Sequence, residues 1–284
     1  MEPPAPARRW RSVLFTPATR PERASRLAAT RADVTVLDLE DAVPVDGKDA
    51  ARAALAAFAA AVADAAPGLT VVARVNPAGT PWHAADVAAA AVAGVAGLVV
   101  PKAERPGTGA AVAAAWAAAG GPAGPLLVAG IESAVGVESA PALLGEGPWS
   151  AAYFGAEDYA ADVGGRRTPG SLEVLYARSR VAMAAAIAGV PAVDQVVTAY
   201  RDDDAFRAEC ATARDLGYRG KLCIHPDQVP LAHAAFAPSA AELDRARRLL
   251  AALREAGGGV ASFEGQMVDA PMVRAAEAVL AAAD

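Results

Sequence analysis

Val128–Ser133, VAGIES, is an apolar run that ends in a carboxylate, and Ala151–Asp158, AAYFGAED, repeats that form about 25 positions later. Both read as strands buried on two faces, each delivering an acid at its C-terminal tip. Six further runs have the same character: Ser12–Thr16, Val34–Glu40, Thr70–Asn76, Gly97–Lys102, Asp194–Ala199 and Lys221–His225. Leu126–Glu132 and Ala151–Gly155 complete a set of eight, with starts about 22 to 43 residues apart, enough for a helix between each pair. Most are continuously apolar rather than alternating, as strands covered on both sides should be.

The intervening segments read as helices. Lys48–Ala66, Ala84–Ala93, Ala110–Ala119 and Ser171–Ala188 are rich in alanine, the strongest helix former, and large apolar residues recur often enough to mark a buried stripe. Pro21 and Pro226 fall where a first helical turn would begin, and Gly189, Gly217 and Gly220 where a C-cap belongs. Eight β-α units predict an α/β fold, a (β/α)8 TIM barrel over 10–238. An open doubly wound sheet is the alternative. It would normally carry a Gly-rich phosphate turn after its first strand, and FTPATRPER (15–23) is not one. Residues 1–9 read as a flexible tail. Residues 239–284 read as a C-terminal helical extension or lid: a capped amphipathic helix over Ser239–Ala256, a GGG break, a FEGQMVDAP segment and a last helix over Met272–Ala283.

Composition narrows the class. Hydrophobic residues make up 54% of the 284, but alanine inflates the figure, and no apolar run reaches the ~18 residues of a membrane helix. MEPPAPARRW has no apolar stretch behind its basic residues, so no secretory signal is expected and a cytoplasmic enzyme is the default. Two cysteines, Cys210 and Cys223, cannot build a disulfide framework. A net charge of −6 argues against nucleic acid as the main partner.

In such a barrel the C-terminal strand ends form the active face. They present Thr16 and Arg20; Asp38, Glu40 and Asp41; Arg74 and Asn76; Lys102 and Glu104; Glu132 and Ser133; Glu157 and Asp158; Tyr200 and Arg201; His225 and Asp227. Glu132 and Asp158 are the first choice as ligands of a hard cation. Mg²⁺ takes one or two protein carboxylates and leaves its other positions to water and substrate. The plain alternative is two rim acids salt-bridged to Arg74 or Lys102. His83, His225 and His233 show no zinc spacing. Arg74 should point into the mouth, to hold a carboxylate bidentately or to partner the DLED acids. Lys102 is a possible Schiff-base nucleophile, but reads better as a charge partner for Glu104 or the metal-site acids. Asp269 is placed to cap a helix starting near Pro271; a catalytic acid arriving on a lid is the sharper alternative.

Nine segments occur in an order that resembles the citrate lyase β-subunit-like family of CoA-ester lyases, within the aldolase/citrate lyase superfamily. They are RSVLFTPATRPER, VLDLEDAV followed by Lys48, ARVNPAGTPWHAAD, VVPKAE, AGIESAVGV, YFGAEDYAADVG, YARSRV, GKLCIHPDQV and GQMVDAP, from about residue 10 to the C-terminus. The resemblance implies a (β/α)8 barrel with Mg²⁺ (Mn²⁺ as a possible substitute) on Glu132 and Asp158, and a substrate-binding arginine at Arg74. It implies a loop from Phe15 to Arg20 that contacts CoA and substrate, and an acid/base at Asp269 acting on the acetyl methyl group, often across a subunit boundary. Glu132 would also touch substrate, with Asp38, Glu40, Asp41 and Lys102 behind. One departure is visible: the family's first loop usually reads PG, and here it reads Pro17-Ala18, which puts the detail of CoA contact in doubt.

The implied reaction cleaves a malyl-CoA- or citramalyl-CoA-type 3-hydroxyacyl-CoA thioester into acetyl-CoA and a 2-oxo acid. Related outcomes are malate synthase-like or thioesterase activity at the same site, an aldolase acting on a free 2-oxo acid, or a citrate lyase-type β subunit working on a carrier-bound substrate. The family also implies a homo-oligomer, a trimer or hexamer, with no membrane or nucleic-acid partner.

Overall fold

The structure, a computed structural model, describes residues 8–255 and 261–282. Most of the expected N-terminal tail, the glycine break at 257–259 and the end of the last expected helix lie outside the described residues. The chain divides into two compact units, Met1–His233 and Ala234–Asp284, where the sequence suggested a boundary at 238/239.

The first unit is a closed barrel of eight parallel strands in sequential order: β1 (Ser12–Pro17), β2 (Val34–Asp38), β3 (Val71–Arg74), β4 (Gly97–Val100), β5 (Leu126–Ile131), β6 (Ala151–Phe154), β7 (Ala192–Asp194) and β8 (Gly220–Cys223). It closes where Val13 of β1 pairs with Leu222 of β8. Around it run α1 (Ala24–Thr30), α2 (Lys48–Ala65), α3 (His83–Val92), α4 (Thr108–Ala118), α5 (Ala134–Gly145), α6 (Ala156–Asp162), α7 (Leu175–Ala188), α8 (Asp203–Asp215) and α9 (Gln228–Phe236), the last reaching into the second unit. The barrel lumen is packed with β-branched side chains, Val13, Val34, Val36, Val72, Val99, Val128 and Val193, together with Tyr153, Leu222 and Trp10. Each such side chain contributes roughly 1.5–3 kcal/mol by leaving water.

Alternate residues point the other way, toward the helices, and around β7 and β8 some of these are charged. Asp194 accepts two hydrogen bonds from the Arg178 guanidinium of α7 (2.8 and 2.7 Å) and one from the Lys221 ammonium. Glu209 of α8 lies 3.0 Å from Arg178. All three charged groups centred on Asp194 are essentially fully buried. They tie α7 and α8 to the barrel wall.

Two expectations are corrected here. The seventh strand was read at 194–199, but it runs Ala192–Asp194. The chain leaves α7 through Gly189 in the left-handed region (φ 72°), and pairing starts immediately after Pro191. The apolar run that follows has no alternation to mark where pairing stops. Tyr200 and Arg201 therefore lie in an exposed turn six and seven residues past the strand. Gly220 is no C-cap but the first residue of β8, where a Cβ would fall 1.7 Å from the Trp10 carbonyl oxygen. Gly217, with φ 93°, does follow α8.

The second unit holds α10 (Ala240–Glu255), a hairpin of β9 (Ala261–Phe263) and β10 (Gln266–Val268), and α11 (Ala270–Ala281). Glu264 and Gly265, both at positive φ (53° and 77°), make the hairpin turn. The guanidiniums of Arg245 and Arg248 stand over the Phe263 ring at 5.5 and 5.4 Å, and both pair with Glu264. Among the described residues no helix is long and apolar enough to cross a membrane.

Candidate active site

The strand tips of β1, β2, β3, β5 and β6 and the first turn of α6 surround a cavity of ≈ 430 Å³. Phe15, Asp38, Arg74, Glu132, Tyr153, Glu157 and Asp158 line it, with Val196, Leu222 and Ile224 on its apolar side. Two acids that the sequence singled out, Glu132 and Asp158, thus share one cavity with Arg74.

Arg74 ends β3 beside Asp38, which ends β2. Its Nε and Nη2 donate to the two Asp38 oxygens at 2.7 and 2.6 Å, and Nη1 lies 2.9 Å from Glu40 and 3.5 Å from Asp41. The guanidinium stands over the Phe15 ring at 5.1 Å. Burial works against its charge, yet Asp38 and Glu40 hold its pKa well above the ordinary value. The DLED turn is caught from several sides. Asp38 accepts the amides of Glu40 and Ala42 (2.9 and 3.2 Å), and buried Lys48 donates to the carbonyls of Leu39 and Glu40 (2.8 and 2.7 Å). Asn76 donates to the Leu39 carbonyl and to Asp86 (2.9 and 2.6 Å).

Glu132 is 3% exposed. Its Oε1 accepts the phenol of Tyr153 and its Oε2 the backbone N–H of Lys102 at 3.1 Å. Burial pushes its pKa up, and the Tyr153 hydrogen bond opposes that. The Tyr153 phenol is pushed well above its ordinary value by burial and then by Glu132, so it remains a donor. Lys102 takes up a left-handed backbone (φ 48°), uncommon for a residue with a Cβ. Its ammonium lies 3.2 Å from Asp158 and 3.9 Å from Glu40. In this geometry it is a charge partner of the mouth acids. Both carboxyl oxygens of Glu40 lack a well-formed hydrogen bond although Arg74 is close, and burial raises its pKa to about 8.

The other expected residues sit apart. Ser133 caps α5 by accepting the Gly136 amide (3.1 Å) and donates to Glu104 (2.8 Å). Glu157 pairs with Arg167 at 2.9 Å. Arg20 does not line the cavity; its side chain is 56% exposed and lies 3.6 Å from Glu22. Ala18 is fully buried and donates its amide to the Asp38 carbonyl at 2.9 Å. It is absent from the non-glycine residues at positive φ, so this turn needs no glycine. His225 stacks on Tyr200 (5.2 Å) and lies 3.4 Å from Asp227. In the second unit Asp269 leaves β10 as the N-cap of α11, its Oδ1 accepting the Met272 amide at 3.1 Å.

Three residues of the mouth escaped sequence reasoning: Tyr153, Gly130 and Gly155. The available signal was a glycine inside or directly after an apolar strand, AGIE and YFG, which marks close approach of another group.

The donor set suits a hard cation. Glu132 and Asp158 bring carboxylate oxygens, Glu40 adds a buried carboxylate without good donors, and neither histidine nor cysteine lines the cavity. Among the described residues no group of three or more His, Cys, Asp or Glu side chains could enclose a metal. Two carboxylates with open positions match Mg²⁺ rather than a closed zinc site.

A closed parallel barrel with charged side chains gathered at its C-terminal mouth defines an enzyme of the (β/α)8 class. Residues 11–226 match the HpcH/HpaI aldolase/citrate lyase family; the chain belongs to that family and is a lyase. It is 46% identical to a citrate lyase subunit beta-like protein of Deinococcus radiodurans, covering 97% of this chain and 98% of the relative. It is 35% identical to a (3S)-malyl-CoA thioesterase of Cereibacter sphaeroides, covering 97% and 95%. Among solved structures, the CitE protein of Mycobacterium tuberculosis in complex with magnesium, acetoacetate and coenzyme A superposes with a TM-score of 0.82 at 34% identity, covering 96% of this chain and 97% of that one.

Proposed function

We propose that this chain is a Mg²⁺-dependent CoA-ester lyase that cleaves a malyl-CoA- or citramalyl-CoA-type 3-hydroxyacyl-CoA into acetyl-CoA and a 2-oxo acid. The observation that carries the reading is the convergence of Glu132, Asp158 and Arg74 on one cavity. The malyl-CoA thioesterase and the magnesium- and CoA-bound CitE among its relatives support it. Glu132 and Asp158 would hold Mg²⁺, with Mn²⁺ able to replace it. When bound, the cation supplies a Lewis acid beside the substrate hydroxyl and carboxylate. Arg74, already fixed by Asp38, presents a pre-oriented positive charge to the carboxylate or to negative charge developing as the C–C bond breaks. Phe15 supplies an apolar wall. Arg20 would meet the CoA moiety. Asp38, Glu40, Asp41 and Lys102 hold the charged groups in place. Asp269 would move the proton at the acetyl carbon, protonating the enolate in cleavage and removing a methyl proton in the reverse direction, with residues 239–284 as the lid that carries it.

The experiment is a screen of malyl-, citramalyl-, β-methylmalyl- and citryl-CoA with Mg²⁺, following acetyl-CoA and 2-oxo acid. Failure to cleave any of them sinks the lyase reading. A second reading, thioester hydrolysis, is favoured by the 35%-identical thioesterase; its signature is free CoA released with the hydroxy acid intact. Work on a carrier-bound substrate, as a citrate lyase-type β subunit, predicts that the isolated chain is inactive on every CoA ester.

Homo-oligomeric assembly, as a trimer or hexamer, is part of the proposal. Leu172, Tyr176, Met183 and Ile187 form a stripe along α7 and the turn before it, and all are largely exposed. Such a face suits burial against another copy. Two free, buried cysteines are in keeping with a reducing, cytoplasmic setting.

A further inference from the structure

We propose that Tyr153 is a positioning residue: its phenol sets the orientation of the Glu132 carboxylate at the barrel mouth. The inference rests on the reading of Glu132 as a metal ligand, and deepens it.

Tyr153 lies on β6 directly across from Gly130 on β5, two residues before the Glu132 it serves. It points into the lumen, 2% exposed, with Phe15 edge-on at 6.4 Å. Its hydroxyl donates to Glu132 Oε1 while the Lys102 amide donates to Oε2. Two donors on opposite oxygens define the rotation of a carboxylate. Each oxygen has two lone pairs, so one remains on each for a cation.

The space for this contact is built. A Cβ on Gly130 would fall 2.5 Å from the Tyr153 hydroxyl oxygen, and one on Gly155 would fall 2.5 Å from Glu132 Cγ and 3.0 Å from Oε1. Neither glycine is at positive φ, so backbone conformation does not call for glycine at either place. What each supplies is room, one for the phenol and the other for the carboxylate. A tyrosine that merely filled the lumen would need neither slot, and phenylalanine would fill it as well.

Partners that orient a metal ligand typically contribute 10- to 100-fold to metal affinity. The test compares the unsubstituted full-length protein with Tyr153→Phe and Gly155→Ala by Mn²⁺ titration at fixed pH, thermal unfolding, and crystal structures of the metal-free proteins. Tyr153→Phe should weaken Mn²⁺ binding 10- to 100-fold, shift the melting temperature little, and leave Glu132 rotated or spread over several rotamers. Gly155→Ala, which keeps the phenol but crowds Glu132, should weaken Mn²⁺ similarly. A Tyr153→Phe protein that binds Mn²⁺ within twofold of the original overturns the proposal, as does an unmoved Glu132 in its metal-free crystal structure. If the unsubstituted protein binds no Mn²⁺ while Glu132 still shifts in the variant, the positioning role stands and the metal reading falls.

Discussion

Replacing Arg74 by methionine tests whether the mouth is held together by its central guanidinium. The side chain is 12% exposed; it bonds both oxygens of Asp38, which is 1% exposed, and lies 2.9 Å from Glu40, 4% exposed. Without it Asp38 keeps only the amides of Glu40 and Ala42, and Glu40 keeps only the Lys102 ammonium at 3.9 Å. Removing one partner of a buried ion pair costs about 3–5 kcal/mol, because the other charge stays desolvated and unpaired. At roughly 2–4 °C per kcal/mol for a domain of this order, the melting temperature should drop by about 10 °C. Urea unfolding followed by tryptophan fluorescence, in EDTA so that metal binding does not contribute, gives the number. Adding Asp38→Asn to Arg74→Met should restore more than half of the loss, since it neutralises the stranded acid. A single variant within about 1 kcal/mol of the original, or a double variant no more stable than the single, would refute this account. Arg74→Lys keeps a charge but not the fork, so it separates charge from geometry in any kinetic loss.

Asp158→Ala should abolish Mg²⁺-dependent cleavage; its side chain is 37% exposed, so stability should change by no more than about 1 kcal/mol. Full activity of the original protein in EDTA would discard the metal assignment. Asp269→Asn should stop deuterium exchange into the acetyl-CoA methyl group while keeping the α11 cap, because asparagine caps as well as aspartate; normal exchange would return Asp269 to a purely capping role. Glu40 titrates near pH 8 in the folded chain against an ordinary 4.5. The folded state therefore holds a proton that the unfolded state releases, and metal-free stability should fall as pH rises from about 5 to 8, by an amount on the order of a few kcal/mol. A flat profile over that window contradicts it. Burial pushes the Cys210 thiol up to about 12 and the Cys223 thiol higher still, so a thiol reagent at neutral pH should label neither until the protein is denatured.

Much of this molecule is legible in one dimension. Apolar runs of four to six residues separated by alanine-rich segments specify alternating strands and helices, because both signals are local: side-chain branching, periodicity and caps act within a few residues. Eight such units leave few topologies, and an acid at the end of VAGIES then has to stand at the rim. Local signals also misplace things. The run after Pro191 looked like strand throughout, while the barrel uses only Ala192–Asp194, and the rest turns away with Gln195 buried against Arg167 and Glu209.

Which rim groups meet was decided by closure of the barrel. Arg74 reaches Asp38 because β2 and β3 pair in that register. Lys102 spans Glu132 and Asp158 because its backbone adopts a left-handed turn that no neighbour in sequence demands. Tyr153, an unremarked aromatic in a strand, becomes a partner of Glu132 only when β5 and β6 lie side by side with two glycines cleared between them. The sequence by itself determined the strands, the helices and the identity of the charged residues at the mouth. Their pairing, burial and shifted titration depend on neighbours distant along the chain, and only the tertiary structure decides them.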